Sequence, residues 1–232
     1  MTQKSNYWPE FWQRYGKDAA DKDEQTQVLR TLNQQPIGQQ LWEFTLNWID
    51  EQITPRPQDV LLELCCGNGL LSRHFAPMVK SVVCVDVSED LVKQINLAHY
   101  PNIKPLVDDI RELDFDELMF DKVVIYAGIQ YLTLAETTVL FERAYRWLKR
   151  GGVFFLGDVP DYRKRWVFFD SPERQATYFE NLKSGKAIVG TWFDPEFFEK
   201  LSAFVGYSGT ELIPQHPDLI YSKFRYDYRL VK

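Results

Sequence analysis

Basic residues do not outnumber acidic ones in this chain. Lys and Arg together number 27 against 33 Asp and Glu, a formal net charge of -6 over 232 residues. Phosphate backbones need a surplus of cations on one face, so this balance argues against a general nucleic-acid binder. Cysteine is scarce as well. Of three, Cys65 and Cys66 are adjacent and Cys84 falls in another apolar run, which suits a reducing cytoplasm rather than a disulfide framework. No apolar run reaches the roughly 18 residues of a membrane span, and the opening MTQKSNYWPEFWQRYGKD has no signal-peptide core. A cytoplasmic protein with no membrane partner is the expectation. Histidine is almost absent, and no His, Asp or Glu group has metal-ligand spacing. No metal is expected, and His74 and His216, the latter between prolines in PQHP, read as structural or solvated.

What the chain does have is apolar substance, 45% of its residues, and many aromatics, 15%. That is enough for one α/β domain with a full core. The organising stretch is Leu61 to Ser72, LLELCCGNGLLS. Val60, Leu61, Leu62 and Leu64 read as a strand buried on both faces, Gly67 and Gly69 permit a tight turn, and LLSRHF continues with helical spacing. Such corners at the carboxyl ends of parallel strands are where open α/β sheets bind nucleotides.

Charge narrows the choice of nucleotide. Glu63 ends the strand, and no Lys or Arg stands between it and Gly69. Phosphates need positive potential or a bare helix N-terminus, so an acidic corner suits a ligand with an ammonium group and no phosphate. S-adenosylmethionine is such a ligand. A second strand, VVCV (Val82–Val85), ends at Asp86, about 20 residues beyond the glycines, where a carboxylate accepts both ribose hydroxyls. The competing description of Asp86 is a solvated strand end. GNGLLS can also be forced onto GxGxxG, which keeps an NAD-dependent oxidoreductase as an alternative, but Glu63 opposes a pyrophosphate.

ELCCGNG resembles the acidic-x-Gly-x-Gly-x-Gly motif of class I S-adenosylmethionine-dependent methyltransferases, with Cys65 in place of the first Gly. The resemblance continues with DI at Asp109 and Ile110 after a third strand (Ile103–Val107), with Asp108 competing for that role. It extends to the segment after a fourth strand in FDKVVIYAGIQYL and to LKRGGVFFLGD leading into a fifth, Val153 to Leu156. It implies cofactor contacts from Glu63, Cys65, Gly67, Asn68, Gly69, Asp86, Val87, Asp109, Ile110 and Tyr126. It places Gln130 and Tyr131 opposite the methyl acceptor, and Asp158 follows the fifth strand as a proton acceptor should the substrate be a hydroxyl. The implied fold is a doubly wound, mostly parallel seven-stranded sheet with one antiparallel strand near the C-terminus. The implied activity is methyl transfer to an O or N atom of a small molecule, the alternative being a protein that holds the cofactor without chemistry.

Residues 1–57 read as an N-terminal helical arm or lid, and 58–232 as one globular unit. Trp8, Phe11, Trp12 and Tyr15 mark a first helix, Val28, Leu29 and Leu32 a second, and Leu41, Phe44, Trp48 and Ile49 a third. The aromatic stripe either docks the arm or covers a pocket that must exclude water. A helix is expected over Leu91 to Leu97 behind Ser88, and another near Ala135 to Leu148, with Leu140, Ala144, Trp147 and Leu148 inward. DVPDYRKRW is a candidate acceptor loop, DPEFFEKL a helix capped by Asp194, and Glu211–Ile213 with Lys223–Val231 a closing strand pair.

Overall fold

Residues 7–184 and 189–232 are described by a computed structural model. The arm opens with α1 (Tyr7–Asp18), followed by the single turn α2 (Glu24–Gln27), the two-residue strands β1 (Thr31–Leu32) and β2 (Gln35–Pro36), and α3 (Gln39–Ile53). The helix expected around Val28 and Leu32 does not form. Instead α2 ends at Gln27, and Asn33 and Gln34 both take positive φ, 51° and 63°, the geometry of a two-residue hairpin turn. The apolar spacing there serves a tight turn, which helical periodicity alone does not distinguish.

The domain proper runs β3 (Val60–Leu64), α4 (Leu70–Phe75), β4 (Ser81–Asp86), α5 (Glu89–Val92), β5 (Ile103–Val107), β6 (Phe120–Tyr126), α6 (Leu134–Trp147) and β7 (Leu148–Pro160). It continues with α7 (Arg165–Phe168), α8 (Pro172–Lys183), α9 (Pro195–Val205), β8 (Gly209–Pro214) and β9 (Arg225–Val231). The seven long strands order as β5-β4-β3-β6-β7-β9-β8. Pairing is parallel from β5 to β7, and β9 inserts antiparallel between β7 and β8. Pro105 is accommodated because β5 is an edge strand, where a missing N–H costs nothing on the open side.

Period-two alternation explains the double winding. On β3, Leu61 points to one face with Val82 and Cys84, beneath Trp42, Leu46, Ile49 and Ile53 of α3. Leu62 and Leu64 point to the other with Val83, Val123 and Phe154, beneath Leu140, Phe141, Ala144 and Trp147 of α6 and Phe198 of α9. Trp147 is fully buried; truncation of such a ring costs about 3–5 kcal/mol. A capping box between Thr133 and Glu136 starts α6, and Asp194 caps α9 with Pro195 in its first turn, as expected.

Two further expectations change. The helix after Ser88 stops at Val92 and gives way to turn hydrogen bonds from Gln94 and Ile95, so Leu97 lies outside it. The fifth central strand, β7, begins at Leu148 directly after α6 and runs through Asp158 to Pro160, so Asp158 lies within the strand rather than after it. Its register shifts between Leu156 and Val159, and Asp158 sits in that bulge with φ of 59°. No helix of the described residues is long and apolar enough to cross a membrane.

Candidate functional site

Every parallel strand directs its carboxyl end to one edge of the sheet, and there the loops surround a cavity of about 320 Å³, within the range of small-ligand sites. The β3–α4 corner forms its floor. Cys65, Gly67 and Gly69 all have positive φ, 58°, 56° and 78°, so the backbone folds back sharply before α4. Gly67 is required twice over, because a Cβ there would also stand 2.5 Å from Cγ1 of Val28 on the arm. Asp86, at the end of β4, accepts the amide of Gly67 at 2.8 Å through one carboxylate oxygen and that of Ser88 at 2.9 Å through the other. The two loops are thereby locked together.

Glu63 lies beneath this corner, 3% exposed, and accepts the Ser72 hydroxyl of α4. Burial, with Cys84 and Asp86 nearby, pushes its carboxyl well above the ordinary value, against the opposing effect of the Ser72 hydroxyl. Burial also raises Asp86, against the opposing effect of its backbone N–H donors. Asp108 and Asp109 reach the same end from β5. Asp109 is gripped by its neighbour, with Arg111 Nε 2.9 Å from each carboxylate oxygen, while Asp108 is exposed and accepts the Asp109 amide.

The opposite end is built from β6, β7 and β9. Tyr126 ends β6, with the Arg30 guanidinium 4.4 Å over its ring. Arg30 Nη1 donates to Asp158 Oδ2 at 2.9 Å, and Arg225 Nη1 donates to Gln130 Oε1 at 2.8 Å. Burial alone would raise the Asp158 carboxyl, but Arg225 and Arg30 together hold it below the ordinary value, so it is ionised. Burial pushes the Tyr131 hydroxyl up to about 12. Its ring packs on Trp8 and Trp12 of α1, with centroids 4.7 and 5.5 Å away, and α1 thus roofs the cavity.

Of the expected site residues, Glu63, Cys65, Gly67, Asp86, Val87, Asp109, Ile110, Tyr126, Gln130, Tyr131 and Asp158 all line this one cavity. Asn68 and Gly69 do not line it. Asn68 turns to the arm, where its Nδ2 donates to the Glu24 carbonyl and to Gln27, and Gly69 is the cap of α4, lying against Ile95. The DVPDYRKRW segment contributes only Asp158 among its residues. Its cations stay outside the lining: Arg163 is bound to Asp161, and Arg165 lies over Tyr162 and Trp166. Arg30, Arg225, Tyr221 and Phe224 were not singled out by the sequence, which carries no local motif around them. His74 pairs with Asp50 and His216 packs on Phe44, both away from the cavity. Among the described residues no acidic, His or Cys group could hold a metal, and all three cysteines are free.

Residues 61–152 match a family model described as "Methyltransferase domain". Chondramide synthase cmdD of Chondromyces crocatus is 32% identical over 112 residues, 44% of this chain but 3% of that protein. An uncharacterized methyltransferase, sll0829, of Synechocystis sp. is 29% identical over 121 residues, covering 51% of this chain and 55% of that protein. The chain thus spans at most about half the length of these relatives. Among solved structures, phosphoethanolamine N-methyltransferase 1 of Haemonchus contortus, in complex with phosphoethanolamine and S-adenosylhomocysteine, superposes with a TM-score of 0.73. Its identity is 16%, over 99% of this chain and 50% of that one.

Proposed function

We propose that this class I methyltransferase domain transfers a methyl group from S-adenosylmethionine to an oxygen or nitrogen of a small molecule. The observation that carries the reading is the locked corner: Asp86 at the carboxyl end of β4, fixed by the Gly67 and Ser88 amides, beside a left-handed turn that carries no cation. A carboxylate has about four acceptor positions, so two amide bonds leave Asp86 able to accept ribose hydroxyls. The acids at this end fit an adenosine with an ammonium group. They do not fit a diphosphate. Ile110, Val87 and Cys65 contribute to the lining at this end.

When bound, S-adenosylmethionine supplies an electrophilic methyl group. The chain's own task is then orientation and the exclusion of water, since displacement at carbon by a lone pair needs chiefly an in-line approach. Trp8 and Trp12 of α1 line the cavity beside Tyr131, which supports the reading of the arm as a lid. Tyr131 and Gln130 position the acceptor. Neither Tyr131, neutral at ordinary pH, nor Asp158, ionised and engaged by Arg30, is a strong base, so the rate derives mainly from approximation.

The test is a thermal-shift series with S-adenosylmethionine, S-adenosylhomocysteine and NAD, followed by calorimetry on Asp86→Ala. The first two should raise the melting temperature and NAD should not, and Asp86→Ala should weaken binding about ten- to a hundredfold, the worth of charged hydrogen bonds. Stabilisation by NAD alone, or unchanged affinity in the variant, defeats the reading. Accumulation of S-adenosylhomocysteine with candidate acceptors separates an enzyme from a silent binder.

A further inference from the structure

The cavity is electrically polarised. Its β3–β5 end carries Asp86, Asp108 and Asp109, with Glu63 beneath them and Arg111 bound to Asp109, while its β7–β9 end carries two guanidinium groups facing one carboxylate. Arg30 and Arg225 line that second end, each with 8% of its side chain exposed. They stand 2.9 and 3.7 Å from the same oxygen, Asp158 Oδ2. Asp227 lies behind them, engaged by the Asp158 amide, Trp48 and Gln215, and does not line the cavity. The lining charge at this end is therefore two positive against one negative.

The donors are also incompletely used. Arg225 Nη1 serves Gln130 and the Asp158 carbonyl, but Arg225 Nε is a buried N–H with no acceptor among the described residues. Arg30 donates through Nη1 to Asp158. Buried guanidinium groups are planar forks that match carboxylate or phosphonate oxygens, and buried donors ordinarily have partners. Phe224 and Tyr221 flank the pair with apolar ring surface, the guanidinium of Arg225 lying 5.3 Å over the Tyr221 ring.

We propose that Arg225 and Arg30 seat an anionic group, a carboxylate or phosphonate, on the methyl acceptor. This rests on the methyltransferase reading above and names the substrate class of that site. Cofactor at the acidic end and anionic acceptor at the basic end then enter a cavity complementary to both. An anion at this end could alternatively be the carboxylate of the cofactor's own methionine moiety, and the measurements separate the two.

The probes are benzoate and phenylphosphonate, with benzyl alcohol as the uncharged counterpart, titrated calorimetrically into the full chain with and without saturating S-adenosylhomocysteine. At least one anion should bind about tenfold or more tightly than benzyl alcohol. Arg225→Gln should remove that preference while leaving S-adenosylhomocysteine affinity within about twofold. Arg30→Gln, on the arm and outside the sheet, should weaken the anion in the same direction, and Arg225→Lys should retain part of the preference. Circular dichroism and melting temperature establish that each variant is folded. No preference for an anion up to about 20 mM, or an unchanged preference in folded Arg225→Gln and Arg30→Gln, overturns the proposal. So does a loss of S-adenosylhomocysteine affinity with anion binding intact, which would give the arginines to the cofactor. Failure of S-adenosylhomocysteine to bind the unaltered protein, with the anion preference present, counts instead against the methyltransferase reading.

Discussion

Arg30 Nη1 lies 2.9 Å from Asp158 Oδ2, across 128 positions of sequence, and this ion pair joins the N-terminal arm to the carboxyl edge of the sheet. Both side chains are almost completely buried, with only a small part of each facing the cavity. Buried pairs contribute little net stability compared with apolar packing, yet removing one partner leaves an uncompensated charge.

Asp158→Asn should therefore destabilise the fold by about 3–5 kcal/mol at neutral pH, since it strands two guanidinium groups. Because the folded carboxyl is held below its ordinary value, its contribution is present above the unfolded value of about 3.9 and lost as pH falls through the folded one. Urea denaturation across pH should show the wild-type advantage shrinking in strong acid. A constant difference would place the cost in packing rather than charge.

Asp227 behaves in the opposite sense. Burial, only partly offset by the Asp158 amide, Trp48 and Gln215, pushes its carboxyl up to about 6. The folded state then binds the extra proton between about pH 4 and 6, so stability from this group falls as pH rises through that window. Asp227→Asn should flatten the profile there by about 3 kcal/mol, read as the difference between the two urea midpoint curves. Parallel curves for the two proteins would contradict this.

Gly67→Ala tests the corner. A left-handed alanine costs about 1–2 kcal/mol, and its Cβ meets Val28 Cγ1 at 2.5 Å. Since Val28 belongs to the arm, the expected result is a modest loss of stability together with faster amide exchange over residues 25–30. Uniform exchange changes throughout the sheet would mean that the corner, not the arm, had yielded.

For Tyr131 the prediction concerns what is not lost. With its hydroxyl pushed up to about 12 by burial, it holds its proton throughout ordinary conditions. Tyr131→Phe should lower the methyl-transfer rate by less than about tenfold and leave the pH–rate profile unchanged. Trp12→Ala, which opens the roof above it, should weaken S-adenosylhomocysteine binding. The vanishing of a limb from the profile in Tyr131→Phe would restore a proton-transfer role.

The sheet and the acidic end of the cavity are legible in sequence because their signals are local. The apolar runs at Val60–Leu64 and Val82–Val85, the glycine corner and the acid at Asp86 each lie within a few residues of the structure that they specify. The arm was half legible: the aromatic spacing of α1 was plain, whereas the Asn33–Gln34 turn depends on two positive φ values that no glycine announces. The basic end was not legible. Arg30 and Arg225 meet only through β9 pairing with β7 and the docking of the arm, long-range events without a sequence period. Asp158 was visible but misplaced, since the bulge that turns it inward is a property of the β7–β9 register.

Cys65 carries a side chain at φ of 58°, where a glycine relieves strain, and Gly128 faces it so closely that a Cβ there would lie 2.7 Å from Cys65 Cβ. The two loops have room for a single methylene between them. Changes at these positions are consequently interdependent: Cys65→Gly removes two of the close contacts that Gly128→Ala would make and leaves Ile125 Cγ1 at 2.9 Å, so the double variant should recover part of what the second substitution alone loses.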